Sequence, residues 1–199
     1  CFLLDLVKCN QISRKMEDYY PLTDGQKESL EKMNPVIRDV LLEENQLLLT
    51  KIEENKKKTG YKVLETPDVA HEDLFAEMIK PFEGKVVLVD IWATWCGPCR
   101  AANIAMEPIK AQFADRDLVY LYLAGEDSPF NTWENMITDL HGYHHRIDNA
   151  GWNYLREELN ARGVPTYLII DKEGNQSYHT VGFPGSDTIK KELTKQLDK

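Results

Sequence analysis

Residues 86–100 are the most informative stretch of the chain and read VVLVDIWATWCGPCR. The first six residues, Val86 to Ile91, are almost all apolar, which is typical of a strand buried on both faces of a sheet. A pair of cysteines, Cys96 and Cys99, follows closely and opens a segment with helical periodicity that reaches Phe113. The stretch therefore predicts a buried strand, a short turn and a helix that begins at the cysteines.

The positions of the two cysteines predict different chemical roles for them. Unpaired N–H groups and the positive end of the helix dipole favour a thiolate at the start of a helix, where Cys96 lies. Cys99 lies one turn further in, where it is less accessible but within reach of a mixed disulfide on Cys96. Pro98 fits the first turn, where no helical hydrogen bond is lost. We expect Cys96 to attack a disulfide and Cys99 to resolve the mixed disulfide.

Two other uses of a C-x-x-C pair stay open at this point. A C-x-x-C pair can supply half of the ligands of a four-cysteine zinc site. Here the remaining cysteines, Cys1 and Cys9, lie far away in the chain. The histidines between residues 141 and 145 offer other ligands, and we expect them to lie in a solvated loop. A permanent structural disulfide would close too short a loop to constrain the unfolded chain. No resident metal is expected.

Composition and charge exclude several classes of protein. The chain has 199 residues and a formal net charge of −9 at pH 7. It has no basic stripe, so no nucleic-acid partner is expected. No run approaches the roughly 18 apolar residues of a membrane span. The length allows one ordinary domain with an extension, and no cofactor is expected.

The rest of the chain predicts an α/β architecture. Residues 1–20 show no clear pattern, but residues 22–58 have helical periodicity, with a helix start at Asn34 and Pro35. Further predicted elements are a helix around residues 74–79, strands at 118–123, 166–170 and 176–181, helices around 133–140 and 152–159, and a final helix from Ser186. The order predicts a three-layer sandwich with a central mixed sheet in residues 61–199, preceded by an α-helical N-terminal arm in residues 1–60.

The first residues allow two interpretations. Cys1 matches the lipid-carrying cysteine that begins a processed bacterial lipoprotein, and it equally matches the boundary of a fragment. The apolar residues 2–4 favour the fragment, because a lipoprotein usually has a polar tether there. The pattern defines no role for Cys9.

Two motifs in the expected order resemble those of the thioredoxin family. VDIWATWCGPCR at residues 89–100 is similar to the active-site stretch of thioredoxins, and RGVPT at residues 162–166 resembles their cis-proline loop. VGF at residues 181–183 resembles the end of their last strand. The long stretch between Cys99 and Pro165 resembles the TlpA-like branch, which contains thiol–disulfide reductases of the bacterial envelope, especially those of Bacteroides-type bacteria. The resemblance covers residues 61–199 and implies a thioredoxin-like fold.

The resemblance implies roles for residues around the cysteines. Pro165, in a cis peptide bond, would face Cys96, and the backbone of Val164 would pair with an extended substrate segment. Asp90 would be the buried acid beneath Cys99. Its burial would raise its pKa, so that it takes the proton from Cys99 during resolution.

The remaining implied contacts are with the substrate. Trp95 would shield the disulfide and contact substrate, whereas Trp92 belongs to the core. Gly97 and Pro98 complete the substrate-binding group, and their dipeptide resembles that of reducing thioredoxins rather than of strong oxidants.

The chain departs from the family pattern at two points. Ile104 stands where the family commonly has a proline, so a kink is expected about one turn later, at Pro108. Residues 118–124 contain no lysine, although family members often have one there that pairs with the buried acid. Asp90 is therefore expected to lack that partner.

The implied function is thiol–disulfide oxidoreduction. The enzyme would reduce or exchange disulfides in exported proteins of the periplasm or cell envelope, lipid-anchored if Cys1 is a lipoprotein cysteine. A membrane or envelope electron donor would re-reduce it. The alternative, of a different class, is a thioredoxin-like binding module or metallochaperone whose cysteines hold a partner or a metal. The pattern predicts no oligomeric state.

Overall fold

The computed structural model describes residues 2–199, and of residue 2 only the backbone. The two interpretations of Cys1 therefore lie outside the described residues. The chain divides into two compact units, one formed by the residues up to 59 together with 129–138, and one formed by residues 60–128 and 139–199. The sequence predicts one continuous domain over residues 61–199, whereas in the structure residues 129–138 group with the residues up to 59.

The structure contains eight α-helices and six β-strands within the described residues. The helices are α1 (Phe2–Glu17), α2 (Asp24–Leu30), α3 (Pro35–Asn55), α4 (His71–Ile79), α5 (Gly97–Gln112), α6 (Phe130–Met136), α7 (Asn149–Glu158) and α8 (Ser186–Leu197). The strands are β1 (Tyr61–Val63), β2 (Val86–Ile91), β3 (Leu118–Gly125), β4 (Gly142–Ile147), β5 (Thr166–Ile170) and β6 (Gln176–Val181). Short 3₁₀ helices cover Lys80–Phe82 and Ile137–Asp139. None of the described helices is both long and apolar enough to cross a bilayer.

The first unit is helical and contains α1, α2, α3 and α6. Helix α3 begins as predicted, because the side chain of Asn34 accepts a hydrogen bond from the N–H of Val36 and Pro35 occupies the first turn. The apolar face of α3 packs into a core that also contains Leu30 and Met16. Helix α6 joins this unit through polar contacts, such as the hydrogen bond from Asn55 Nδ2 to Asn135 Oδ1 (3.1 Å).

The second unit is built on one six-stranded sheet. The strand order is β1-β4-β3-β2-β5-β6, in which β1, β4, β3 and β2 are parallel and β5 and β6 are antiparallel to their neighbours. Parallel pairing of β2 with β3 and the hairpin of β5 with β6 confirm the predicted mixed sheet.

The alternation of β2 separates two cores and creates the three layers. Val87, Val89 and Ile91 point to one face, where they pack with residues of α4 and α7. Val86 and Leu88 point to the other face, where they pack with residues of α5 and α8. The predicted thioredoxin-like three-layer sandwich and the helices before the first strand are therefore confirmed.

The prediction that the histidines of residues 141–145 lie in a solvated loop was wrong for two of them. His144 and His145 are buried in β4, a strand that the sequence pattern did not indicate. The ring of His144 stacks on Tyr122, with centroids 4.8 Å apart, and its Nε2 lies 2.8 Å from the carbonyl oxygen of Leu140. The contact with Tyr122 depends on the pairing of β3 with β4, which no local pattern in the sequence contains.

Candidate active site

The loop between β2 and α5 has a fixed backbone. The N–H of Trp92 donates to the carbonyl of Leu123 (3.0 Å), which extends the pairing of β2 with β3 by one residue. The N–H of Thr94 donates to Ser128 Oγ (3.1 Å), and the N–H of Cys96 donates to the carbonyl of Ala93 (3.1 Å). Alternate backbone donors of the loop are thus satisfied, so the loop delivers Cys96 to one place at the end of the sheet.

Cys96 and Cys99 are joined by a disulfide at the start of α5. Their Cα atoms are 5.3 Å apart. Cys96 is the N-cap residue of the helix, and its sulfur accepts a hydrogen bond from the N–H of Cys99 (3.1 Å). The same amide would stabilise a thiolate at this position once the disulfide opens. Cys99 is fully buried, whereas Cys96 retains 3% exposure.

The loop before β5 reaches the same end of the sheet. Ile91, the last residue of β2, pairs with Thr166, the first residue of β5. The Val164–Pro165 peptide bond immediately before Thr166 is cis, as the resemblance implied. The carbonyl of Pro165 accepts a hydrogen bond from the N–H of Gly182 (2.8 Å), which ties this loop to the end of β6.

The other predicted site residues differ in exposure. Trp95 is 60% exposed beside Cys96, whereas Trp92 is completely buried, as expected. Gly97 and Pro98 are exposed in the first turn of α5, and Val164 is half-buried. The residues thus border one surface from two loops, 92–98 and 162–165.

Asp90 lies in the interior of the sheet, directly between two tyrosines. It pairs with Tyr122 on β3 and with Tyr167 on β5, and it is buried, as predicted. By the alternation of β2, its side chain lies on the face that packs against α5, the helix that carries Cys99. Burial raises the pKa of Asp90 to about 7, although the charge of Lys110 and the hydroxyl of Tyr167 act in the opposite direction.

A cavity of about 10 Å³ lies next to this carboxyl group. Its lining consists of polar and aromatic side chains together with two aliphatic ones: Leu88, Asp90, Asn103, Met106, Lys110, Tyr120, Tyr122 and Tyr167. The Oδ1 atom of Asp90 has no hydrogen-bond partner within the described residues. Strand β3 supplies no lysine to Asp90, as expected, but Lys110 of α5 lines the same cavity, a cation that the sequence reasoning did not anticipate.

Sequence reasoning missed Lys110 and Ser128. Lys110 follows Cys99, Asn103 and Met106 at helical spacing, so a lysine on the face that packs against the sheet was a signal present in the sequence. Ser128 gave no such signal, because its contact with Thr94 depends on the path of a loop 34 residues away.

Neither Cys9 nor the histidines join the cysteine pair in a ligand cluster. Cys9 is a free, half-buried cysteine of α1 in the first unit. Among residues 2–199, no group of three or more His, Cys, Asp or Glu side chains is arranged to hold a metal ion.

Comparison with known proteins adds independent evidence. A family model described as thioredoxin-like matches residues 84–176. The thioredoxin-like protein YneN of Bacillus subtilis is 31% identical over 150 residues, which cover 72% of this chain and 84% of that protein. The thiol:disulfide interchange protein HelX of Rhodobacter capsulatus is 25% identical over 65% of this chain and 73% of its own length. A crystal structure of a thioredoxin family protein from Chlorobium tepidum superposes with a TM-score of 0.50 and 24% identity, covering 60% of this chain and 84% of that one.

Proposed function

The chain belongs to the thioredoxin-like family of thiol–disulfide oxidoreductases, and from this premise we propose that it reduces or exchanges disulfide bonds in exported proteins. The single observation that carries the proposal is the bonded pair Cys96–Cys99 at the start of α5. A pair that forms a disulfide across one helical turn stores and releases two electrons without any other group.

The first step is attack by Cys96 on a substrate disulfide. In the reduced protein the sulfur of Cys96 lies at the N-terminus of α5, where the N–H of Cys99 and the helix dipole favour the thiolate. The Cys96 thiolate attacks one substrate sulfur and forms a mixed disulfide. The other substrate sulfur leaves as a thiolate.

The second step is resolution by Cys99. Its thiol is fully buried, and burial disfavours the thiolate that the step requires. Asp90 lies on the face beneath α5 and takes the proton, so that the Cys99 thiolate attacks the sulfur of Cys96. The Cys96–Cys99 disulfide forms and the second substrate thiolate leaves. The substrate gains two electrons and the enzyme pair loses two.

Substrate binding uses the surface that borders the disulfide. The backbone of Val164 pairs with an extended substrate segment, and Pro165 lies next to it at the end of the sheet where Cys96 lies. The exposed indole of Trp95 covers the apolar side of the substrate. Gly97 and Pro98 expose the first turn of α5 for the approach of the substrate.

The location and the electron donor belong to the same proposal. The long connection between β3 and β5, which contains α6, β4 and α7, supports placement in the TlpA-like branch. We expect the chain in the periplasm or cell envelope, where a membrane or envelope donor returns two electrons to the pair. Fractionation of the native cells tests this, and recovery in the cytoplasm would contradict it.

Reduction of insulin disulfides by the reduced chain tests the chemistry. Cys96→Ser is expected to abolish the activity, and Cys99→Ser is expected to accumulate mixed disulfides, which are detected as substrate adducts by mass spectrometry. Full activity of Cys96→Ser would show that the role is assigned to the wrong residue. The reduction potential fixes the direction, because a value near about −270 mV is typical of a reductase and one near about −120 mV of an oxidant.

The same protein also tests the metallochaperone alternative. Anaerobically purified, reduced chain is expected to contain no stoichiometric metal. One metal ion per chain, lost in both cysteine variants, would favour that alternative.

A further inference from the structure

Ile104 is the most exposed of the large apolar side chains that the structure describes, with 74% of its surface accessible. It occupies the position in α5 where the family commonly has a proline. The apolar residues of α5 that pack into the core, such as Ala102, Met106 and Ile109, lie on the opposite face of the helix. Core packing therefore does not account for an isoleucine at this position.

The face of α5 that carries Ile104 begins at the redox pair. Gly97 lies almost two helical turns earlier, so the two residues share one face and are about 10 Å apart along the helix axis. Gly97, Ala101 and Ile104 are all exposed, as is Pro108 one turn further on. None of these residues has a charged or polar side chain. An apolar surface therefore runs from the first turn, next to Cys96, along the outside of α5.

This surface is continuous with the one to which the proposed mechanism brings the substrate. In the mixed disulfide a substrate sulfur is bonded to the sulfur of Cys96, so the neighbouring parts of the substrate lie over the first turn of α5. A small disulfide compound ends close to Cys96 and does not reach Ile104. A protein substrate extends far enough to cover Ile104 while its sulfur is bonded to Cys96.

We propose that Ile104 is a specificity-determining residue, which contacts an apolar surface beside the disulfide of a protein substrate and so favours protein disulfides over small ones. The proposal rests on the proposed function and names the class of substrate that the same site takes. Contact removes the exposed isoleucine from water, and the gain in free energy is proportional to the apolar area covered. A small disulfide gains none of this free energy, so the preference is measured as a difference in rate between two kinds of substrate.

The test compares reduction of insulin with reduction of bis(2-hydroxyethyl) disulfide, a small polar compound, by the reduced chain. Ile104→Ala is expected to lower kcat/KM for insulin about three- to tenfold, because the substrate loses contact with part of the carbon atoms removed. The value for the small disulfide is expected to stay unchanged. Ile104→Leu keeps the apolar area and is expected to keep both values. The matched control is Val36→Ala, at a β-branched residue of α3 that is 71% exposed, and it is expected to change neither value.

Two further measurements separate contact with the substrate from an effect on the cysteines. Ile104→Glu introduces a carboxylate that must lose its water on contact, so the rate with insulin is expected to fall further than with Ile104→Ala. The reduction potential of the Cys96–Cys99 pair is expected to stay the same in every Ile104 variant. A change in α5 that disturbed the cysteines would shift the potential and would slow both substrates equally.

Equal losses for the two substrates, or no loss with insulin in either Ile104→Ala or Ile104→Glu, would overturn the inference. A dimer of the unmodified chain that Ile104→Glu dissociates in analytical ultracentrifugation would also overturn it, because a second copy would then cover the surface. Reduction of the small disulfide without reduction of insulin would overturn the inference and leave the proposed function intact. If the unmodified chain reduced neither substrate, the proposed function would fail and the inference with it.

Discussion

The backbone N–H of Thr94 donates a hydrogen bond to the side-chain oxygen of Ser128 across 3.1 Å in the interior of the protein. Ser128 is fully buried, and the carbonyl oxygen of the same residue accepts a hydrogen bond from Arg146 Nε (3.1 Å). Thr94 lies two residues before Cys96. The side chain of Ser128 therefore fixes the loop that precedes the redox pair, and Arg146 of β4 fixes the backbone of Ser128.

Removal of this acceptor is expected to destabilise the protein. Ser128→Ala leaves the N–H of Thr94 unpaired in the interior, which lowers the free energy of unfolding by about 1–3 kcal/mol. Urea denaturation measures the effect. Ser177→Ala, at an exposed residue whose hydroxyl donates to the carbonyl of Ile169, is the control and is expected to change stability much less. Equal effects of the two substitutions would contradict the role of Ser128.

Asp90→Asn is expected to stabilise the protein while it impairs resolution. The folded pKa of Asp90 is about 7 and the ordinary value is 3.8, so the folded state binds the proton more tightly than the unfolded state. The free energy of unfolding therefore falls as pH rises from about 4 to about 7 and stays low above. The neutral amide removes this penalty, so the variant gains up to about 4 kcal/mol at pH 8 and less at pH 5.

Urea denaturation at the two pH values measures this difference. Asp115→Asn, on the exposed surface, serves as the matched control for the loss of one carboxyl group. An Asp90→Asn protein that is no more stable at pH 8 than the unmodified chain would show that Asp90 is not destabilised by its burial.

Acid is expected to weaken the fold through His144 and His145. Burial lowers the pKa of each to about 4, from an ordinary value of 6.5, so the unfolded state binds more protons between these values. The free energy of unfolding falls as pH decreases from 6.5 toward 4, by up to about 3 kcal/mol for each histidine. Over this range Asp90 raises the free energy of unfolding as pH decreases. This single contribution is smaller than the combined contribution of the two histidines.

The contribution of the histidines is isolated in an Asp90→Asn background. There the loss of stability between pH 7 and pH 5 is expected to be steeper than in the unmodified chain, and His145→Leu is expected to reduce it. His71→Gln is the control, because His71 is exposed. If His145→Leu left the loss unchanged, His145 would not be a buried neutral group.

Two glycines, one packed against a buried side chain and one in open space, offer a paired test of packing. A Cβ atom at Gly125, the last residue of β3, would lie 2.5 Å from Cδ1 of Trp152, a buried side chain of α7. Gly125→Ala is therefore expected to destabilise by about 1–3 kcal/mol through overpacking. A Cβ atom at Gly25 in α2 meets nothing within 4 Å, so Gly25→Ala is expected to stabilise by about 0.5–1 kcal/mol. Thermal unfolding compares the two, and a gain in stability from Gly125→Ala would contradict the packing described.

The parts of the fold that the sequence predicted are those with a local pattern. Strand β2 is a continuous apolar run, and α5 has an apolar face that begins at the cysteines, so both were predicted close to their observed bounds. Helix α1 was missed because several of its apolar side chains, such as Leu3 and Val7, are exposed, and its pattern shows no clear face. Strand β4 was missed because its buried residues include two histidines.

The candidate site divides in the same way. Cys96, Cys99 and Pro165 belong to short motifs, and Asp90 stands out as an acid within an apolar run. The neighbours that adjust this acid come from other elements, in particular Tyr167 on β5 and Lys110 near the end of α5. Their positions depend on strand register and helix packing, which no local pattern contains.

Residues 129–138 belong to the same compact unit as the residues up to 59, which has a consequence for synthesis on the ribosome. Helices α1, α2 and α3 leave the exit tunnel before α6, yet their unit also contains α6, whose Thr132 donates a hydrogen bond to the carbonyl of Asp18 (2.8 Å). The helical unit therefore stays incomplete until residues 60–128 of the other unit and then α6 have been translated. A nascent chain therefore cannot complete the helical unit before it has begun the other one.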